Sequence, residues 1–252
     1  MQRSIRHKLI IQSLRTSGRL RVDQLAELTG ASAVTIRRDL ADLAAHGALR
    51  RVSGGAARTV KHGENVPYSL RMAEDRDLKA KLAAAVAPLI ADYESVIIDN
   101  GTTCHAVAQE LAGRPITALC LSLHAAVALG TAPGATVIIP GGPVEADTLA
   151  LLGSQALDAV RNMRADALVL GTCSASAARG LTSTLYEDAL IKQASIASAG
   201  RRILVTVADK LNRASNFRFG ALSDLTHLVI TADAPPDLLA LFAGAGVEVI
   251  CV

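Results

Sequence analysis

Two short stretches of this 252-residue chain carry residue types whose spacing points to chemistry. The first is Ala31-Ser-Ala-Val-Thr-Ile-Arg-Arg-Asp-Leu40. Ser32 can cap a helix, and Val34, Ile36, Leu40, Leu43 and Ala44 form its apolar stripe. Ser32, Ala33, Thr35 and Arg37 then share the outward face. Hydroxyls and guanidinium forks in the first turns of such a helix reach base edges in a major groove, and Arg38 is a partner for guanine or phosphate. Asp39 is acidic, so it is expected to organise an arginine. An isolated Arg-Arg pair is more often the solvated face of a helix, and the neighbouring pattern has to decide. Arg50 and Arg51 follow on a short strand before the turn Ser53-Gly-Gly55, where they would sit beside phosphates.

The second stretch is Ile98-Asp-Asn-Gly-Thr-Thr103. Gly101 permits a tight turn from strand to helix. The amides that open the helix, with the Thr102 and Thr103 hydroxyls, make a cradle for an anion. An ordinary strand-to-helix turn would read the same way. The four cysteines, at 104, 120, 173 and 251, form no CxxC and no zinc spacing, so they read as reduced core residues. Cys104 alone starts a helix, a position that lowers thiol pKa, and it raises the alternative of a thiol-based redox regulator.

Around these stretches the charge is unevenly shared. Residues 1–61 carry a net +8 and the remainder a net −5. A basic head on an acidic body suits a head that meets a polyanion. Half of the residues are hydrophobic but only 2% are aromatic, so the core must be aliphatic. The richest apolar run, Leu82 to Ala91, has ten residues and contains Pro88, far below the ~18 a membrane-spanning helix needs. The N-terminus has no apolar leader segment, and the expectation is a cytoplasmic protein away from the membrane.

The elements that must position these groups follow from periodicity. Apolar residues 5, 9, 10 and 14 predict a first helix closed by Gly18. Val22, Leu25, Ala26 and Leu28 predict a second, broken by Gly30. Gly47 ends the third, and residues 49–52 with the Gly-Gly turn form a wing. Residues 1–57 thus read as a winged helix-turn-helix domain, 58–74 as a linker and 75–252 as a second, larger domain. In the last, a helix over 75–91 precedes strands at 95–99, 116–121, 135–139, 167–170, 203–207, 227–230 and 247–252. Helices are expected at 104–111, 122–130, 154–161, 186–199 and 236–243. The alternation implies a parallel-rich α/β sheet flanked by helices.

The run Arg6-His-Lys-Leu-Ile-Ile-Gln-Ser-Leu14, the segment Leu20–Leu28, Val34-Thr-Ile-Arg-Arg-Asp-Leu40 and Arg51-Val-Ser-Gly-Gly-Ala56 closely resemble the DeoR family of bacterial regulators. The resemblance continues through Asp99–Thr103, Pro140-Gly-Gly-Pro143, Leu152-Gly153, Asp166–Gly171, Gly180-Leu181, Glu187 with Lys192, and Ala208-Asp-Lys-Leu211, covering nearly the whole chain. It implies a ribose-5-phosphate isomerase-like sensor fold and a DNA-binding transcriptional regulator, a repressor of carbohydrate metabolism genes. The partners would be a double-stranded DNA operator and a phosphorylated metabolite, a sugar phosphate, with a homo-oligomer reading paired half-sites. DNA contacts fall on Ser32, Ala33, Thr35, Arg37, Arg38, Arg50 and Arg51. Effector contacts fall on Asp99, Asn100, Gly101, Thr102, Thr103, Gly141, Gly142, Lys192, Asp209 and Lys210. By chemistry, Lys192 and Lys210 would neutralise phosphate and Asp99 would bond a sugar hydroxyl. Lys192 reads equally as a solvated helix lysine, and Gly141-Gly142 as a simple turn.

Three departures stand out from the family pattern. Ser53 replaces the usual wing histidine. Leu121-Ser-Leu-His124 replaces a Thr-Asn segment, with His124 either a ligand contact or a buried core histidine. Val207-Ala-Asp-Lys210 shifts the acid relative to the lysine. A sugar-phosphate isomerase-like enzyme fused to a DNA-binding head is a further alternative. Its base would come from Asp99, Glu187 or Asp209, and no feature pairs any of them with a proton partner. The expectation is therefore no catalytic residue, no metal and no cofactor.

Overall fold

The structure is a computed structural model that describes residues 2–45, 48–57, 68–172 and 174–252. Gly47, the first ten residues of the expected linker (58–67) and Cys173 lie outside the described residues. The chain divides into two compact units, Met1–Glu74 and Asp75–Val252.

In the first unit, α1 (Arg3–Ser17), α2 (Val22–Thr29) and α3 (Ala33–Ala45) enclose a small aliphatic core of Ile10, Ile11, Leu14, Leu25, Ile36, Leu40 and Leu43. Gly18 and Gly30 close the first two helices in left-handed geometry that glycine tolerates. Three of the apolar positions expected inside are outside: Ile5 is 55%, Leu28 48% and Val34 72% exposed. The wing holds β2 (Arg50–Val52) and β3 (Gly55–Ala57), and β3 also pairs with β1 (Arg19–Arg21), giving the order β1-β3-β2. Gly55 is required there, because a Cβ would lie 2.2 Å from the Leu20 carbonyl oxygen. The end of the expected linker is not extended: Tyr68–Ala73 form a short helix, α4, with Tyr68 buried.

The second unit opens with α5 (Arg76–Val86), which ends in a 3-10 turn at Pro88. Its main sheet has seven parallel strands. They are β4 (Ser95–Ile98), β5 (Thr117–Cys120), β6 (Thr136–Ile138), β7 (Ala165–Leu170), β10 (Ala199–Thr206), β12 (His227–Ile230) and β13 (Glu248–Cys251), in the order β13-β12-β10-β7-β4-β5-β6. Every strand expected from the sequence is present. Alternate strand residues build two cores. Val96, Ile98, Val169 and Val205 face α5, α6 (Thr102–Glu110) and α7 (Leu123–Leu129). Ile97, Leu168, Leu170 and Leu204 face α8 (Ser154–Arg161), α9 (Tyr186–Ser198) and α10 (Pro236–Gly244). A separate antiparallel sheet, absent from the sequence reading, joins β8 (Ser174–Ser176), β9 (Gly180–Ser183) and β11 (Phe217–Gly220) in the order β11-β9-β8.

The strand order sets the site. From β4 the chain winds outward through β5 to β6, then returns to place β7 on the other side of β4. The reversal opens a crevice beyond the C-terminal ends of β4 and β7, where doubly wound sheets bind ligands.

Candidate functional site

In the head, Ser32 caps α3 as expected: the Thr35 amide donates to its Oγ at 3.2 Å. The Ser32 and Thr35 hydroxyls bond each other at 2.9 Å. Thr35 is half-buried, while Arg37 and Arg38 are fully outward. Val34, assigned to the buried stripe, instead joins them: residues 34, 37 and 38 follow the i, i+3, i+4 spacing of one helix face. Asp39 does organise an arginine. Its partner comes from α1, where Arg6 Nε and Nη2 donate to its carboxylate at 2.5 and 3.2 Å. His7 Nε2 completes the cluster at 3.1 Å. Burial works against the Asp39 charge, but the Arg6 and His7 hydrogen bonds outweigh it and hold the carboxyl below its usual range. This buried cluster locks the back of α3 to α1 and leaves the basic front free. Arg50 and Arg51 are both exposed on β2, but successive strand residues leave opposite faces, so the pair does not share one surface.

In the sensor unit, Asp99, Asn100 and Gly101 follow β4 at the switch point. Gly101 has φ +107°, a conformation side chains rarely adopt, and the turn delivers Thr102 and Thr103 to the start of α6. Both threonines are buried. Asp99 is fully enclosed and accepts from the Gly171 amide at 2.9 Å across the switch point, on the loop after β7. Lys192 is only 2% exposed, so it is not a solvated helix lysine. Its Nζ bonds Asp99 Oδ2 and lies 3.4 Å from Asp188 Oδ1. Asn100 Nδ2 donates to Asp188 at 2.7 Å, and Ser183 Oγ does so at 2.6 Å. Burial pushes the Asp99 carboxyl up, against the pull of Lys192, and Asp188 pushes the same way.

The structure therefore brings Asp99, Asn100 and Lys192 together, with Thr102 and Thr103 on the adjoining turn. It adds Asp188, Ser183 and Gly171, which the sequence reading missed. Lys192 is paired with Asp99 and Asp188, while Glu187 is exposed. Four residues bring two side chains to one helix face and five do not, so the spacing alone would have found Asp188. The other expected residues lie apart. Gly141 and Gly142 sit in an exposed loop after β6, two strands from β4, or roughly 10 Å at the spacing of a sheet. Asp209 and Lys210 follow β10, two strands away on the other side. The Asp209 side chain is 76% exposed and lies 3.6 Å from Arg213, while Lys210 is near enough to act on the Cys104 thiol.

The departures have local roles. Ser122 caps α7 by accepting from the Ala125 amide at 3.2 Å. His124 is half-buried, edge-on to His105 at 5.9 Å, and burial and then His105 hold its pKa down. Cys104 and Cys120 are buried, and burial pushes both thiols up, Cys120 to about 12. Burial thus overrides the helix start that suggested a reactive Cys104. Cys251, expected inside, is exposed on the edge strand β13. Among the described residues, no group of His, Cys, Asp and Glu could hold a metal ion, and no helix is long and apolar enough to cross a membrane.

Residues 6–61 match the family model of the DeoR-like helix-turn-helix domain, and residues 74–232 match that of the DeoR C terminal sensor domain. The chain belongs to the DeoR family of transcriptional regulators. The glycerol-3-phosphate regulon repressor of Haemophilus influenzae is 32% identical over 95% of this chain and 93% of that protein. The HTH-type transcriptional regulator UlaR of Shigella dysenteriae serotype 1 is 26% identical over 100% of both chains. Among solved structures, ribose 5-phosphate isomerase A of Methanocaldococcus jannaschii aligns over 55% of each chain at 14% identity, with a TM-score of 0.40. These DeoR-family matches are to regulators, and they account for both the basic head and the doubly wound body.

Proposed function

We propose that this DeoR-family protein is a cytoplasmic repressor whose affinity for operator DNA is set by a phosphorylated sugar bound beyond the C-terminal end of β4. The head, residues 1–57, reads DNA with α3; the segment 58–74 connects it to the sensor, residues 75–252. A homo-oligomer would present two heads to half-sites about one helical turn, roughly 34 Å, apart. The observation that carries the reading is the Asp99–Thr103 turn, set at the switch point with a helix opening directly behind it. The first amides of α6 have no partners within the helix and face an incoming anion with a favourable dipole. Lys192 is occupied by two carboxylates, so we assign it to holding Asp99 and Asn100 in place. Lys210, in the turn after β10, is the cation we assign to the phosphate. A relative named for a glycerol-3-phosphate regulon supports a small phosphate ester as the ligand class. No catalytic step belongs to this reading: Asp99 is paired with Lys192, and Glu187 and Asp209 are exposed.

Melting of the purified protein in a panel of sugars and their phosphates tests the site, because a ligand of the native state raises the melting temperature by mass action. At least one phosphorylated sugar should raise it while its unphosphorylated parent does not, and Thr102→Val should abolish the rise. Equal shifts from both forms would sink the assignment.

A further inference from the structure

The three-stranded sheet carries a second polar cavity. It measures about 460 Å³, within the ~300–1,000 Å³ typical of small-molecule sites. The turn between β8 and β9 forms one wall, and the segment leading into and out of β11 forms the other. Arg179, Thr182, Ser215, Asn216 and Arg218 line it.

This cavity is not the β4 edge seen from another side. Strand residues alternate between faces. On β9, Leu181 enters the main core and Ser183 bonds Asp188, so both face inward. Thr182 therefore faces outward. On β11, Phe219 lies in the same core with Lys192 Nζ 5.9 Å from its ring, which puts Arg218 on the outer face. Ser174 on β8 alternates with the core residue Ala175 and bonds Ser215 at 2.9 Å. The Asp99–Lys192 network and the cavity thus occupy opposite faces of one small sheet.

The chemistry of the lining is selective. Thr182 Oγ1 is committed, accepting from the Ser215 amide at 2.8 Å and lying 3.4 Å from the Ser174 carbonyl, so it builds the wall. The two arginines are not committed. Arg218 Nε makes one 3.4 Å contact to the Gly220 carbonyl, and neither guanidinium pairs with a carboxylate among the described residues. Elsewhere in this body Arg114 pairs with Asp92 and Arg201 with Glu94, while Arg161, Arg164 and Arg202, like the two cavity arginines, have no carboxylate partner among the described residues. Arg179, Asn216 and Arg218 are all exposed on this concave surface, and two guanidinium forks with no carboxylate partner among the described residues suit an oxyanion that accepts several hydrogen bonds at once.

We propose that this cavity is a second ligand site of the sensor unit, binding a small phosphate- or carboxylate-bearing metabolite through Arg179 and Arg218. It is independent of the ligand assigned to the β4 edge.

Isothermal titration of the full chain tests it, with inorganic phosphate and glucose 6-phosphate as probes. Three proteins are compared: wild type, Arg179→Gln/Arg218→Gln, and Thr102→Val. The wild type should bind phosphate. The double arginine variant should bind it at least about tenfold more weakly, while Thr102→Val retains it. Glucose 6-phosphate binding that is lost in the arginine variant and kept in Thr102→Val would assign a phosphate ester, rather than the free ion, to the cavity. No phosphate binding by the wild type overturns the proposal. So does phosphate binding that vanishes in Thr102→Val and persists in the arginine variant. If the double variant melts early, Arg218→Lys keeps the charge and removes the fork. Weaker phosphate binding by that variant supports the site, and wild-type affinity overturns it.

Discussion

Val34 and Asp39 sit on opposite sides of one helix and do opposite work. Val34 is a bare β-branched side chain at the opening of α3, beside Arg37. Its methyl groups suit the C5 methyl of thymine, an apolar contact that reads sequence without a hydrogen bond. Val34→Ala should leave the melting temperature unchanged and relax the preference for one base pair by about 1 kcal/mol, read by binding to a set of single-base operator variants. An unchanged preference profile would remove Val34 from the reading surface. Asp39 is structural. Its carboxyl titrates below the unfolded value of roughly 4, so its contribution is complete above that pH and is lost as pH falls through the lower folded value. Asp39→Asn should lower stability at neutral pH by about 2–3 kcal/mol and flatten the acid limb of the stability curve. Parallel acid limbs in the two proteins would refute that role. The stripe reading of α3 found Ile36, Leu40 and Leu43 but miscounted Val34, because apolar character alone does not distinguish a core residue from an exposed methyl.

At the level of elements, α9 and the β4–α6 turn form one unit through buried charge. Lys192→Met would strand Asp99 and Asp188 without their cation, a loss of about 3–5 kcal/mol. Urea unfolding should show a lower midpoint with an unchanged slope, and Asp99→Asn in the same chain should recover part of the loss. A midpoint that does not move would mean that Asn100, Ser183 and the Gly171 amide satisfy the carboxylates alone. The seven parallel strands were legible because each is a short, mostly aliphatic run, and the five inner ones are largely buried on both faces. The three-stranded sheet was not. Ser174-Ala-Ser176 and Gly180-Leu-Thr-Ser183 are small and polar, with one apolar residue each to show which face is inside. β1 is Arg-Leu-Arg, too short to give a period, and α4 has only six residues. The strand–turn–helix pattern located Asp99–Thr103 between β4 and α6. The sequence order could not reveal that Gly141 and Asp209 lie on the segments after β6 and β10, each two strands from β4.

Over the whole molecule, the net +8 of residues 1–61 against the net −5 of the rest should appear as a steep fall of operator affinity with salt. Charge-neutral changes in the sensor should leave that slope alone, while Arg38→Ala should reduce it by about one counterion if Arg38 meets a phosphate. Coupling between sensor and head requires a ligand that binds one conformational state better than the other, with typical factors of about 5- to 150-fold. The most direct measurement is the fluorescence anisotropy of a labelled DNA fragment from upstream of the protein's own gene. It is titrated with protein in the presence and absence of the sugar phosphate that raises the melting temperature. The account predicts an affinity change within that range for the wild type, and for Thr102→Val an unaltered DNA affinity that no longer responds to the sugar phosphate. An affinity indifferent to every phosphorylated sugar, or a Thr102→Val protein that responds like the wild type, would contradict it.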